Sequence, residues 1–350
     1  MNLKGRRNMK KLKVVQIGIR HEHAAGKMDT LRRMSGIFDI AGVVDEKDFA
    51  HNATYLENES MLTLPFEGLP RLTLDEALNL PGLDAVLVEV PNLDLVPVAM
   101  KCMEKNIPMH MDKPGSPDLG AYKKLLDGCA SKGLPFQMGF MFRGNPAMKK
   151  LRELTADGVL GTILELEMNM SHNYGGEIYQ HYVATLPGGS MYNLGCHDID
   201  FIVSLLGAPE KVTAFGTKSS ATVPDALNNT MAVLEYEKAI VSVRVNVLKG
   251  RGGNYRRLSV AGTNGVFELM PVECFNRELT ATLDLKEAAG GFESGVNVLS
   301  FGVQKDRYAD QLEEFARVVR GEIKNPYTYA HDYLTHKVVL GAAGILPYTK

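Results

Sequence analysis

The sequence predicts an α/β protein of two domains. A doubly wound parallel sheet is expected over residues 11–143, and an α+β region with a mostly antiparallel sheet over 144–350. Three observations carry this expectation. A chain of 350 residues exceeds the usual size of one domain. In its first part short apolar runs alternate with helical spacing, as in parallel strands joined by crossover helices. Further on, strand signals follow one another with only turns between them, as in an antiparallel sheet.

The elements justify this in order. A β-branched run over 12–19 reads as the first strand, and helical spacing follows over 24–34. Residues 40–44 form a second strand that ends at Asp45, and Thr73-Leu-Asp-Glu76 has capping-box spacing for a short helix. Strands at 85–90, 108–111 and 134–140 alternate with helices at 95–105 and 118–131. The second part opens with a helix at 145–155 and a strand at 162–171, and a helix follows Gly188-Gly189, a glycine pair that permits a close approach of backbone to a ligand. Strands are then expected at 211–216, 229–237, 240–248, 256–262, 265–271 and 278–284. Near the end, 307–320 is an amphipathic helix with Tyr308, Leu312, Phe315 and Val319 on its apolar stripe, and this last helix is expected to pack back on the first domain.

Composition excludes several classes. A formal net charge of −2 leaves no basic footprint for nucleic acid or an anionic membrane surface. The basic start, residues 1–11, has no apolar run behind it and reads as a tail rather than a secretory signal. No stretch has the apolar length of a membrane span. Cys102, Cys129, Cys196 and Cys274 are scattered with no CxxC pair, so buried free thiols in a reducing compartment are expected, which places the protein in the cytoplasm.

Four segments carry candidate chemistry. Lys113, in Ile107-Pro-Met-His-Met-Asp-Lys-Pro-Gly115, follows a short apolar strand directly and precedes a proline, which favours an extended backbone. It should project from the carboxyl end of that strand, where open α/β sheets bind ligands, unless it is a solvated lysine in a tight turn. The first strand leads into Gly18-Ile-Arg-His-Glu-His23-Ala-Ala-Gly26. This turn keeps the first glycine of a dinucleotide fingerprint and replaces the other two by Arg20 and His23. It reads either as a nucleotide turn or as a plain strand-turn-helix. Asp45, 27 residues beyond Gly18, would accept a hydrogen bond from a ribose and repel a 2′-phosphate, which favours NAD over NADP.

His21 and His23 also raise the question of a metal. A tetrahedral zinc site needs three or four ligands, and His110, His172, His181 and His197 form no second pair, so no metal is expected. In the fourth segment, Pro187 to Asp200, Asn193 and His197 are four residues apart on one predicted helix face, with Asp200 three further on. Ser190 is the expected N-cap and Gly207 with Pro209 the stop. Histidine is the natural acid/base near neutral pH, and an amide and a carboxylate in its row could position it.

Together these segments resemble the Gfo/Idh/MocA oxidoreductase family. The likeness rests on Val88-Glu-Val-Pro-Asn92, Asp112-Lys113-Pro114 in place of Glu-Lys-Pro, Phe142-Arg-Gly-Asn-Pro146, Gly188 to His197, Gly262-Thr-Asn-Gly265 and Phe315 to Gly321. The resemblance implies a Rossmann domain followed by a domain with a large open sheet, and a homodimer or homotetramer. It implies an NAD(P)-dependent dehydrogenase moving hydride between nicotinamide and a hydroxyl-bearing carbon of a sugar, cyclitol or polyol. Family chemistry also includes lyase or glycosidase reactions with retained NAD, and non-catalytic cofactor-sensing regulators. Lys113 would hydrogen-bond the reacting oxygen and His197 would move its proton, with Asn193 where the family usually has a carboxylate. Gly18, Arg20, His21, His23, Asp45, Glu89, Pro91, Asn92 and Asp112 would hold the cofactor. Arg143, Tyr174 and Asn193 would contact substrate. Tyr174, Tyr179, His181 and Tyr182, in a loop over 172–182, suit either hydroxyl-rich ligands or a packed subunit contact.

Overall fold

The fold is that of a computed structural model, whose described residues are 10–45 and 63–350. Most of the basic start lies outside them. The described chain forms two compact units, one of residues up to 139 with 308–329, the other of 140–307 with 330–350.

The first unit is built on six parallel strands: β1 (Leu12–Ile17), β2 (Phe38–Val44), β3 (Arg71–Leu72), β4 (Ala85–Val88), β5 (Met109–Met111) and β6 (Phe136–Met138). Their order is β3-β2-β1-β4-β5-β6, so the winding reverses between β1 and β4. Helices α1 (Glu22–Arg33), α2 (Leu74–Leu78), α3 (Leu95–Glu104) and α4 (Leu119–Lys132) make the connections. The predicted capping box forms, with the Thr73 side chain accepting from Glu76 N and Glu76 accepting from Thr73 N. Gly133, left-handed at φ 59°, ends α4.

One core holds Val14, Leu31, Phe38 and Leu87 together with Leu312, Phe315 and Ala316 of a later helix, α8 (Ala309–Val319). Its predicted stripe residues Tyr308 and Val319 pack against the edge of that core. The strand β1 carries one buried polar residue, Gln16, whose amide nitrogen donates to the carbonyls of Gly18 and Ala24 at 3.0 Å each. It ties the turn after β1 to the start of α1.

The second unit contains α5 (Pro146–Ala156), α6 (Glu177–Thr185), α7 (Cys196–Leu206) and most of α9 (Tyr329–Ala342) beside an eight-stranded sheet. The strands are β7 (Ile163–Asn169), β8 (Lys211–Thr217), β9 (Asn229–Glu235), β10 (Ile240–Asn246), β11 (Arg257–Gly262), β12 (Gly265–Leu269), β13 (Glu278–Leu285) and β14 (Gly295–Val303). Their order is β14-β13-β12-β11-β7-β10-β9-β8. Every pairing is antiparallel except β7 with β10. Along β13 buried and exposed residues alternate, the pattern of a sheet covered on one face.

Four local expectations are corrected. The segment over 172–182 is not all loop, because α6 occupies its second half. Ser190 does not cap a helix; its backbone is already helical and its hydroxyl lies 3.0 Å from that of Thr230. The helix expected after it begins as a π-helical stretch over Met191–Gly195 before becoming α7. Gly188 and Gly189 serve internal packing rather than a ligand: at Gly189, φ 54°, an added Cβ would collide with the Leu227 backbone. All four cysteines are buried and free. Among the described residues no helix is long and apolar enough to cross a membrane.

Candidate active site

In the first unit the singled-out residues converge because each follows a parallel strand. Gly18 follows β1, Asp45 follows β2, Glu89 follows β4, and Asp112 and Lys113 follow β5. They therefore collect at the carboxyl edge of the sheet, around the reversal between β1 and β4, where such sheets bind nucleotides. Gly18 has φ 104°, and its N–H donates to Val44 O at 3.0 Å. An added Cβ there would run into the Glu89 carbonyl oxygen, so only glycine permits this approach of β1 to β4.

The turn that follows is held by its own side chains. His21 is the N-cap of α1: its Nδ1 accepts from Ala24 N at 3.4 Å, and its Nε2 lies 2.8 Å from Glu89 O. A carbonyl only accepts, so Nε2 carries the ring proton. Burial pushes the His21 pKa down to about 3, which keeps the ring neutral. Arg20 Nε donates to Asp45 Oδ1 at 2.8 Å. His23 Nδ1 lies 3.2 Å from both carboxylate oxygens of Asp112. Burial lowers its pKa, against the opposing pull of Asp112.

A residue with no local mark of its role sits at the centre. Lys27, on α1, is 1% exposed; its Nζ donates to Glu89 Oε1 at 2.6 Å and lies 3.5 Å from Asp112 Oδ1. Burial alone would lower its pKa, and the carboxylates of Glu89 and Asp112 outweigh that and hold it above the ordinary value. The two carboxyl groups are driven apart. Burial raises Glu89 to about 8 against the pull of Lys27, and Glu89 Oε2 has no hydrogen-bond partner among the described residues. Burial acts on Asp112 in the same sense, but His23, Lys27 and Lys113 outweigh it and hold that group well below its ordinary range. Asp112 is thus the firm anion of the cluster, and Glu89 is the group that titrates.

Lys113 is 4% exposed, and the charges of Asp112, Glu89 and His23 all feel it. Asn92 is also buried, close behind β4. His21, His23 and Asp112 have candidate ligand atoms within 4.8 Å of one another, so Asp112 is the third ligand that histidine spacing could not reveal. In this arrangement, however, Asp112 already faces the Lys27 cation and His21 Nε2 faces a carbonyl.

In the second unit, His197 is buried at the start of α7, and its Nδ1 accepts from Met141 N at 3.2 Å. A backbone N–H only donates, so the neutral ring keeps its proton on Nε2. Asn193, in the π-helical stretch, donates through Nδ2 to Tyr179 Oη at 3.1 Å. Tyr179 continues an aromatic row, with ring centroids 4.8 Å from Tyr174 and 5.9 Å from Tyr182, and Tyr174 lies 4.5 Å from His172. His181 is outside this row, exposed and 3.6 Å from Glu177.

Asp200 does not pair with His197. It accepts from Arg143 Nε at 3.0 Å and from a terminal nitrogen at 2.6 Å, and His331 Nε2 lies 3.1 Å away. The same Arg143 nitrogen reaches Asp332 at 2.6 Å. Burial acts against ionised Asp200, and Arg143 with His331 overcomes it and holds the group well below its usual range. Arg143 is therefore the hub of a buried ion network, a role its sequence position did not reveal. Beside His197, burial raises Asp198 well above the ordinary carboxylate range, against the pull of Arg256.

Comparison with known proteins follows the same division. Residues 148–268 match the GFO/IDH/MocA C-terminal domain. The D-xylose 1-dehydrogenase (NADP(+)) 2 of Haloferax volcanii is 26% identical over 239 residues, covering 68% of this chain and 70% of that protein. The inositol 2-dehydrogenase of Corynebacterium glutamicum strain R is 25% identical over 243 residues, 67% and 68% of the two chains. Among solved structures, GenD2 from gentamicin A biosynthesis, in complex with NAD, superposes with a TM-score of 0.76 at 20% identity, over 95% of this chain and 93% of that one. Residues 148–268 thus carry a GFO/IDH/MocA C-terminal domain, and the chain as a whole is similar to Gfo/Idh/MocA oxidoreductases, with the reversing parallel sheet and the open antiparallel sheet of their fold.

Proposed function

We propose that the protein is a nicotinamide-dinucleotide-dependent oxidoreductase acting on a hydroxyl-bearing carbon of a sugar, cyclitol or polyol. One observation carries the reading: a buried lysine, Lys113, stands with Gly18, Glu89 and Asp112 at the carboxyl edge of a doubly wound sheet, at its reversal. The residues fit a dinucleotide. Gly18 makes the tight turn, Arg20 offers a cation where a second glycine would let the backbone approach, and Asp45 ends β2 in position for a ribose. The relatives named for xylose and inositol dehydrogenation support the substrate class.

When bound, the nicotinamide would accept or return the hydride. The chain's part is to manage charge and proton on the substrate oxygen. As hydride is added to a carbonyl carbon, the oxygen gains negative character, which a Lys113 ammonium stabilises; in the reverse direction the Lys113 amine takes the hydroxyl proton before hydride leaves. His197, in the second unit, has its proton on Nε2 and so can only donate a hydrogen bond there. It cannot give up that proton without becoming an anion, and it cannot take another at Nδ1 while Met141 N–H points there. The exchanged proton is therefore assigned to Lys113 Nζ, which releases it when a carbonyl is reduced and takes it back when an alcohol is oxidised. Asn193 and the Tyr174–Tyr179 pair supply hydroxyl- and amide-bearing surface for the substrate.

The test is a spectrophotometric screen of sugars, cyclitols and polyols, run in both directions with each dinucleotide. Reduced nicotinamide should accumulate with at least one alcohol. Dinucleotide bound tightly throughout turnover, with no net reduction, would favour redox-assisted lyase chemistry instead. Binding without any turnover would favour a cofactor-sensing regulator, and absence of both would refute the proposal.

The open sheet of the second unit supports a homo-oligomer in the same reading. Phe215, Ile240, Val296 and Val298 are all more than half exposed, at 56%, 55%, 67% and 69%. Apolar side chains left bare on a sheet mark an association surface. Sedimentation should show a dimer or tetramer, and replacing Val296 and Val298 by lysine should shift it towards monomer. A wild-type monomer at micromolar concentration would rule the oligomer out.

A further inference from the structure

The strands β1 and β2 are parallel neighbours with Ile17 opposite Val44, so the residues that leave their carboxyl ends emerge side by side. Arg20 and Asp45 meet there, Nε to Oδ1 at 2.8 Å, with side chains 34% and 29% exposed. This is the place where a carboxylate accepts from a ribose 2′-hydroxyl and repels a 2′-phosphate, or where an arginine accommodates that phosphate. Most such sites are dominated by one of the two residues. Here both are present and paired, so the pair itself carries no net charge.

We propose that the Arg20–Asp45 ion pair is a specificity-determining device that admits both the 2′-hydroxyl and the 2′-phosphate form of the dinucleotide with comparable affinity. With a hydroxyl, Asp45 accepts its hydrogen bond while Arg20 steadies the carboxylate. With a phosphate, the Arg20 guanidinium turns towards the new anion, to which a planar fork of donors is well suited. The exchange is easy because a partly exposed ion pair is weakly held, and the carboxylate released by Arg20 is exposed enough for water to solvate it. Asp45 alone sets the NAD preference expected from the sequence; its pairing with Arg20 removes most of it.

The inference rests on the nicotinamide-dinucleotide reading, so its test omits nicotinamide and hydride transfer. Calorimetric titration compares ADP-ribose with 2′-phospho-ADP-ribose on the wild-type protein, Arg20→Ala and Asp45→Ala. The wild type should bind the two within about tenfold of each other, less than one charged hydrogen bond commonly discriminates. Arg20→Ala should weaken the phosphorylated ligand by about tenfold or more and ADP-ribose by about threefold or less. Asp45→Ala should do the reverse, and added salt should weaken the phosphorylated ligand more steeply. A wild-type preference of about a hundredfold, or an equal loss of both ligands in Arg20→Ala, would overturn the inference and leave the dinucleotide reading intact. A folded wild-type protein that binds neither ligand would overturn both.

Discussion

Replacing Lys113 by methionine or alanine is expected to lower kcat by about two to three orders of magnitude, the scale of losing one preorganised charge donor at a developing oxyanion. KM for the alcohol should change far less, because the ammonium acts most strongly once the oxygen carries charge. Methionine is the informative variant. Lys113 is buried, and methionine keeps much of its volume while removing the charge. ADP-ribose affinity and the melting transition then report whether the fold survived. Retention of more than about a tenth of wild-type kcat in a folded Lys113→Met protein would remove this residue from the chemistry, since that is a far smaller loss than the oxyanion term.

The second large effect concerns stability. Lys27→Met is expected to destabilise the protein by about 3–5 kcal/mol, the usual cost of deleting one partner from a buried ion pair. The loss arises because Asp112 stays ionised in the interior and Glu89 loses the lysine that donates to it, while the lysine stem itself is well replaced. Adding Asp112→Asn to Lys27→Met should restore part of the loss, since a neutral amide needs no counter-cation. A stability loss below about 1 kcal/mol for Lys27→Met would show that the cluster is solvated in a way these contacts do not convey.

The same cluster gives a pH dependence of known sign. The Glu89 carboxyl lies above its ordinary 4.5, at about 8, in the folded protein, so between those values the folded state binds more protons than the unfolded one. Its contribution is therefore fully present below about 4.5 and is lost as pH rises towards 8. Asp112 acts oppositely, contributing stability above its ordinary 3.8 that is lost on acidification. Glu89→Gln should flatten the neutral-range slope of unfolding free energy against pH and leave the acid limb in place. An unchanged slope in that variant would mean that Glu89 ionises normally.

The two clusters differ in how they could be read in advance. Gly18, Asp45, Glu89, Asp112 and Lys113 were legible because each ends an apolar run, and the end of a parallel strand is a fixed place in the fold. Lys27 was not, because a lysine inside an amphipathic helix is normally solvated and nothing local marks the one turned inwards. Arg143 and Asp200 each looked like a site residue, yet they meet each other and Asp332 across 57 and 189 residues of chain. The strand β14 escaped notice because glycine, asparagine and serine interrupt its apolar alternation. The helix α9 escaped because it buries Asp332, Thr335 and His336 together with its apolar residues, which blurs the stripe.

The alternation that makes a parallel sheet, the turn at Gly18 and the place of Lys113 after a strand are all written locally in the chain. Backbone geometry and side-chain periodicity act over a few residues and leave local marks. Which polar groups meet is set by long-range packing: Arg20 with Asp45, Lys27 with Glu89 and Asp112, and His197 with the Met141 amide rather than with Asp200. The energy of a buried or half-buried charge depends on distance and dielectric, and both are set by residues far away in the chain.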